Sequence, residues 1–273
     1  MNDIQGQIVA VTGASAGIGR ATARLLATQG AIVVACARRT QRLEELAHDF
    51  AGGPGRIVPF EGDVTVEADM RALVDRAVAV GGRLDVMICN AGIGYHGTLD
   101  ETTPEHMRRV VDVNLMGTFY AAHAALEVMR RQGHGHIIAI SSVVGRRGIG
   151  GSSVYSATKA AQIAFIESLR AEFFGTRLHA SVVLPVSTTT EFHEAIARDF
   201  GHHVSGKGPK QTPEQVAEAI VACVRSPRAE VYPHASAWWL AVLSVIAPAK
   251  ADNLVRRFGR RRRPAGDHDD SGS

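Results

Sequence analysis

The chain of 273 residues holds three cysteines, Cys36, Cys89 and Cys223, far apart and without metal-type spacing. Cys36 and Cys89 each lie in an apolar run, so they read as buried free thiols, and nothing calls for an oxidising compartment. There is no Cys/His cluster, which argues against a zinc dehydrogenase. His96, His123, His193, His202 and His203 are scattered and read as surface or loop residues. The N-terminus enters a strand almost at once, without the basic, apolar and small-residue succession of a secretory signal, so the cytoplasm is the default location. No stretch is apolar for long enough to make an ordinary transmembrane helix, no repeat of solenoid type is present, and no linker splits the chain.

A charge excess is also missing from the body of the chain. From Lys250 to the end, seven Lys or Arg face four Asp, which accounts for the whole net charge of +3 and leaves residues 1–249 balanced at 23 against 23. The basic character belongs to "RRFGRRRR" (256–263), which reads as a solvated end; a contact with an anionic membrane is the alternative, and a nucleic-acid partner is not expected. The final "PAGDHDDSGS" reads as disordered.

What is present is a rhythm. The runs "IVAVTG" (8–13), "AIVVACA" (31–37), "RIVPF" (56–60), "LDVMICNAG" (84–92), "HIIAISS" (136–142) and "HASVVLP" (179–185) are short, β-branched and continuously apolar, as strands buried on both faces must be. Amphipathic stretches at about 18–29, 40–50, 67–80, 105–132 and 155–174 lie between them. A helix at 213–225 opens on Thr212 and Pro213, and "AEVYP" (229–233) supplies a seventh strand. The pattern predicts an α/β fold of Rossmann type, with a doubly wound, mostly parallel seven-stranded sheet and helices on both faces. Residues 1–234 are expected to form the single catalytic domain, 235–258 an apolar and basic helical extension, and 259–273 a disordered tail. In the extension, "ASAWWLAVLSVIAP" (235–248) predicts a helix packed over the domain or at a subunit contact, with an interfacial membrane helix as the alternative.

After the first strand stands "TGASAGIG". Glycines allow a tight turn where a Cβ would block the chain or a phosphate, and the following helix offers free N–H groups to a pyrophosphate. Gly13, Ser15, Gly17, Ile18 and Gly19 are the candidate residues of this turn. The spacing is G-x-x-x-G-x-G rather than G-x-G-x-x-G. At the end of the second strand, where an acidic residue would accept from a ribose 2′-hydroxyl, the chain has Ala37 followed by Arg38 and Arg39. Arginine suits a 2′-phosphate, so NADP(H) is preferred over NAD(H); one of the two could be merely solvated, leaving the other to act. Asp63 is placed to accept from an adenine amine and Val64 to pack on the ring.

In "SSVYSATKA" (152–160), Tyr155 and Lys159 are one helical turn apart and can reach a common point. A nearby cation lowers the pKa of a phenol, and the small Ser156, Ala157 and Thr158 keep the turn slim. With "CNAG" (89–92), "VNLMG" (113–117) and "ISS" (140–142) in order around it, the sequence resembles the short-chain dehydrogenase/reductase family over about residues 5–233. The resemblance implies catalytic roles for Asn114, Ser142, Tyr155 and Lys159, with Ser142 chosen because it lies thirteen residues before Tyr155 and Ser141 left as the alternative. It further implies that Asn90, Ala91, Gly92, Tyr155, Lys159, Pro185, Thr188 and Thr190 contact the cofactor, and that the long helices form a homodimer or homotetramer. Two departures stand out: Cys89 replaces an Asn in the family's "NNAG", and Val186 replaces a Gly in its "PG", which puts the shape of the following loop in doubt.

The expected reaction is interconversion of a ketone or aldehyde with an alcohol. Tyr155 acts as general acid/base, Ser142 holds the substrate oxygen, Lys159 binds the ribose and lowers the phenol pKa, and Asn114 supports a proton relay. Pocket walls from 93–100, 143–152 and 186–211, with Phe192 and Phe200, suggest a lipophilic small-molecule substrate. A catalytically silent nucleotide-binding regulatory protein is the alternative from another class.

Overall fold

The computed structural model describes residues 3–189, 191–192, 196 and 210–258. Thr190, Phe200, His193, His202, His203 and the tail 259–273 lie outside them.

Ile8–Thr12 (β1) is buried at all five positions. Its side chains divide between two cores: Ile8 and Ala10 enter one, Val9 and Val11 the other. The same division recurs in Val86–Cys89 (β4), Gly135–Ile140 (β5) and Leu178–Val183 (β6). A strand covered on both faces has no regular polar position to alternate with, which is why these runs are predominantly apolar. With Ile32–Ala37 (β2) and Arg56–Glu61 (β3), and a short last strand at Glu230–Val231, they form one seven-stranded sheet. Its strand order is 3-2-1-4-5-6 followed by that last strand, and every neighbouring pair is parallel.

Gly17–Thr28 (α1), Thr40–Asp49 (α2) and Pro213–Arg225 cover one face; Glu67–Gly81 (α3), Gly117–Gln132 and Ser153–Glu172 cover the other. The helix at Pro213 starts as its sequence predicts. The Thr212 hydroxyl accepts from Gln215 N at 3.3 Å, the Gln215 side chain accepts from Thr212 N at 2.9 Å, and Pro213 occupies a position whose N–H would have no partner.

The long helix expected at 105–132 is interrupted. Pro104–Val111 (α4) passes into a π-helical turn at Asp112–Met116 before Gly117–Gln132 (α5) resumes regular winding. The widened turn holds Asn114, fully buried; such turns recur at functional sites because they rotate one residue out of the regular helical register. Ser153–Glu172 is α6 and Pro213–Arg225 is α7. Ala235–Ile246 (α8) and Pro248–Phe258 (α9) complete the described chain, α8 resting on the turn Val143–Gly145. Arg147 joins that region to α9 through Pro248 O at 3.0 Å and the Asp252 carboxylate. Because every strand runs the same way, the carboxyl ends of β1, β2, β4, β5 and β6 open on one edge, where ligands of such sheets bind.

Candidate active site

The turn after β1 has the geometry its glycines require. Gly13 has φ +68°, and a Cβ there would lie 2.8 Å from Ala91 Cα; a Cβ on Gly19 would lie 2.4 Å from Gly13 O. The turn therefore folds tightly onto the end of β4 and opens the α1 amide end to the groove, a cradle suited to a dinucleotide pyrophosphate. Asn90 secures it: its Nδ2 donates to Thr12 O at 2.9 Å and Gly13 O at 3.2 Å, while the Thr12 hydroxyl accepts from the amides of Asn90 and Ala91 at 3.0 and 3.1 Å. Cys89, the departure in this motif, is a buried thiol pushed up to about 12 by burial, so it stays neutral and inert.

At the end of β2 the arginines separate. Arg38 pairs with Asp63 at 3.7 Å. Arg39 turns toward the glycine turn after β1, donating to Ser15 Oγ from Nε at 3.3 Å and Nη2 at 3.0 Å. Arg42, one turn into α2, joins it: both Arg39 and Arg42 face the carboxylate of Glu191, at 3.5 and 2.7 Å. Sequence reading missed Arg42 and Glu191. A signal for Arg42 existed in its helical spacing from Arg39; none existed for Glu191. Asp63 Oδ1 is engaged by the amide and hydroxyl of Thr65 at 2.9 and 2.8 Å. Val64, expected against an adenine, is drawn into the core beside Gly117 and offers little side-chain surface to a ligand.

Ser142, Tyr155 and Lys159 meet where β5 ends and α6 begins. The hydroxyls of the two serines part: Ser141 is buried and donates to Lys159 O at 2.8 Å, whereas Ser142 Oγ hydrogen-bonds the Tyr155 phenol and lies 3.4 Å from Pro185 O. Burial raises the Tyr155 pKa and the Ser142 bond draws it partly back. Lys159 is buried, with Nζ 5.8 Å from the Tyr155 ring centroid, and donates to Ile140 O at 2.8 Å and Gln162 Oε1 at 3.0 Å. Its pKa falls to about 7 because burial disfavours the ammonium. Burial is thus the largest influence on the Tyr155 pKa, with the Ser142 hydroxyl rather than the lysine drawing it down.

Gln162 is a further residue that motif reading missed, although it stands only three positions after Lys159. Its Nε2 donates to Asn114 O at 2.8 Å and Thr118 Oγ1 at 2.7 Å, linking the π turn to Lys159. Thr158 accepts from Asn114 Nδ2 at 3.2 Å; Ser156 is buried and Ala157 exposed. After β6, Val186 N donates to Gln211 Oε1 at 2.8 Å, and Ser187–Thr188 pairs with Lys210–Gln211. That pairing gives the "PV" segment a defined path despite the missing glycine, with Thr188 Oγ1 donating to Val186 O at 3.2 Å.

A family model described as short chain dehydrogenase matches residues 7–200. The ketoacyl reductase HetN of a Nostoc species is 32% identical over 267 residues, which cover 95% of this chain and 91% of HetN. A short chain dehydrogenase/reductase from Burkholderia phymatum in complex with NAD has the same fold, with TM-score 0.82 at 22% identity, covering 96% of this chain and 100% of that one. An alcohol dehydrogenase from Thermococcus sibiricus complexed with 5-hydroxy-NADP superposes with TM-score 0.73 at 27% identity, covering 83% and 95%.

Proposed function

The chain belongs to the short-chain dehydrogenase family and is an oxidoreductase, and we propose that it is an NADP(H)-dependent reductase of lipophilic carbonyl compounds. The observation that carries this reading is the Tyr155 phenol bonded to Ser142 with Lys159 buried one turn on. The Gly13–Gly19 turn with Ser15 and Ile18 would hold the pyrophosphate, Arg39 and Arg42 the 2′-phosphate, Asn90 to Gly92 and Lys159 the nicotinamide ribose, and Pro185 and Thr188 the carboxamide. The chemistry the dinucleotide supplies when bound is the hydride.

A carbonyl that receives hydride gathers negative charge on oxygen, so the site must supply a proton and a second hydrogen bond. Tyr155 gives the proton, and the Ser142 hydroxyl donates the second bond. Tyr155 is protonated at neutral pH, as a proton donor must be, and burial shifts it further in that direction. Lys159, with its pKa near 7, can return a proton to the phenolate at working pH, which a lysine at its ordinary value would do poorly. Asn114 positions Lys159 through Gln162 and supports the relay to solvent. The ring of Phe192 stands 6.0 Å from that of Tyr155 and gives the substrate side an apolar wall. The ketoacyl reductase named above supports reduction of an acyl-type ketone. A panel of ketones and alcohols read at the nicotinamide absorbance band tests this; no turnover on any member, with NADPH bound, would instead favour the silent regulatory role.

The paired helices α5 and α6, where the tilted rings of Phe119 and Phe165 lie 4.6 Å apart between centroids, are the proposed contact with a second copy. Among the described residues no helix is long and apolar enough to cross a membrane. On α8, however, Trp238 and Trp239 are 46% and 65% exposed, and Val245 and Ile246 also face outward. The run of arginines within 256–263 follows shortly after. Aromatic and aliphatic exposure beside a cationic run complements an anionic lipid surface, and we assign residues 235–263 that peripheral contact, from the cytoplasmic side, where free buried thiols stay reduced.

A further inference from the structure

We propose that Glu191 is a specificity-determining residue for the dinucleotide, its carboxylate holding Arg39 and Arg42 in competition with the cofactor's 2′-phosphate. The inference rests on the NADP(H) reading above and names a control on it that lies 149 residues away in sequence from Arg42. Arg42 Nη1 donates to both carboxylate oxygens, at 2.9 and 2.7 Å, and Arg39 Nη1 approaches at 3.5 Å while its other nitrogens bond Ser15. The guanidinium pair that faces the phosphate turn is therefore already satisfied by an anion of the protein's own. Hydrogen bonding from Arg42 holds the Glu191 carboxyl below its usual range, so it is charged at any working pH.

The exchange is selective by charge and by acceptor count. A phosphate monoester brings a charge of about −1.5 to −2 and three acceptor oxygens, against one charge and two oxygens for the carboxylate, so it displaces Glu191. A ribose hydroxyl carries no charge and leaves the pair closed. Both partners are partly exposed, with side chains 39% and 49% accessible, which keeps the pair weak enough to be exchanged. Glu191 thus lowers affinity for the phosphorylated nucleotide by the cost of opening its own pair and does not touch affinity for the other. The next residue, Phe192, stands over Tyr155, so the exchanged group sits in the segment that also covers the reacting phenol.

The test is calorimetric titration of the full chain with 2′,5′-ADP and with 5′-AMP, in the unaltered protein, Glu191→Gln, Arg42→Ala and the double variant. Glu191→Gln is expected to tighten 2′,5′-ADP about two- to fivefold, the range of an exposed ion pair, and to leave 5′-AMP unchanged. In the Arg42→Ala background that gain should shrink below twofold. If the unaltered chain prefers 2′,5′-ADP but Glu191→Gln moves neither ligand, moves both equally, or gives an undiminished gain without Arg42, the role of Glu191 is overturned and the NADP(H) reading stands. If the unaltered chain binds 2′,5′-ADP no more tightly than 5′-AMP, the NADP(H) reading fails and the role of Glu191 falls with it.

Discussion

Asn114 grips Ile93 by both of its backbone groups: Oδ1 accepts from the Ile93 amide at 2.7 Å, and Nδ2 donates to the Ile93 carbonyl at 2.9 Å. The π turn presents a buried amide to the loop that follows β4, and so ties the α4–α5 layer to the wall of the site. Asn114→Ala would leave both part-buried Ile93 groups without these partners, at about 1 kcal/mol for each hydrogen bond lost. The melting temperature is expected to fall by several degrees, with kcat reduced more than KM for NADPH rises. An unchanged melting temperature would show that this grip is dispensable.

Tyr155→Phe removes one oxygen and keeps the ring packed against Phe192. Turnover on any active carbonyl should drop about 10²- to 10⁴-fold, the usual worth of a positioned acid, with the NADPH dissociation constant nearly unchanged. Retained turnover would refute the assignment of Tyr155.

Lys159 links the site to the pH dependence of stability. Its folded pKa of about 7 lies below its ordinary value of 10.5, so between these pH values the unfolded chain binds a proton that the folded chain does not. Its contribution therefore makes stability rise with pH across that window, and the penalty is complete below pH about 7. Lys159→Met removes the slope. Thermal melts of both proteins from pH 6 to 9 should show the variant gaining relative to the parent as pH falls, with no further gain below 7. Lost hydrogen bonds to Ile140 and Gln162 add only a constant, so a difference independent of pH would contradict the buried, neutralised lysine.

The two arginines after β2 are expected to be unequal. Arg39→Ala should weaken NADPH about tenfold or more, as loss of a hydrogen bond to a charged group does, and leave NADH within about twofold. Arg38, engaged with Asp63, should matter less to the discrimination. Dissociation constants for both dinucleotides decide it, and equal effects of the two substitutions would remove the distinction.

For the lipid contact, Trp238→Ser with Trp239→Ser should abolish co-flotation with phosphatidylserine vesicles at low salt while leaving turnover unaltered. Flotation equal to that of the parent chain, or none by the parent, would reject it. Loss of a dimer in place of lost flotation would assign α8 to contact with a second copy.

Much of the fold was legible because it rests on short-range requirements. The strand runs of β1, β4, β5 and β6 are mostly apolar on both faces because both faces are covered, and this can be read without knowing what covers them. Gly13 and Gly19 could be read because close approach excludes a Cβ whatever lies opposite. Thr212 and Pro213 announced a helix start by local capping alone. The helix interruption at Asp112–Met116 was not legible, since its residues have no breaker among them and the turn is sustained by contacts of Asn114 with Ile93 and Thr158. The packing of Val64 beside Gly117, far along the chain, was not legible either, because no local pattern records it.

By itself, then, the sequence determined a parallel α/β sheet, a tight glycine turn at the end of its first strand and a tyrosine one helical turn before a lysine, all set by local geometry and by burial on two faces. Only the tertiary structure decided that Gln162 joins Lys159 to Asn114, and that Glu191 closes on Arg39 and Arg42. Those relationships depend on where separate elements come to rest, and a hydrogen bond between distant residues leaves no periodicity in the chain that makes it.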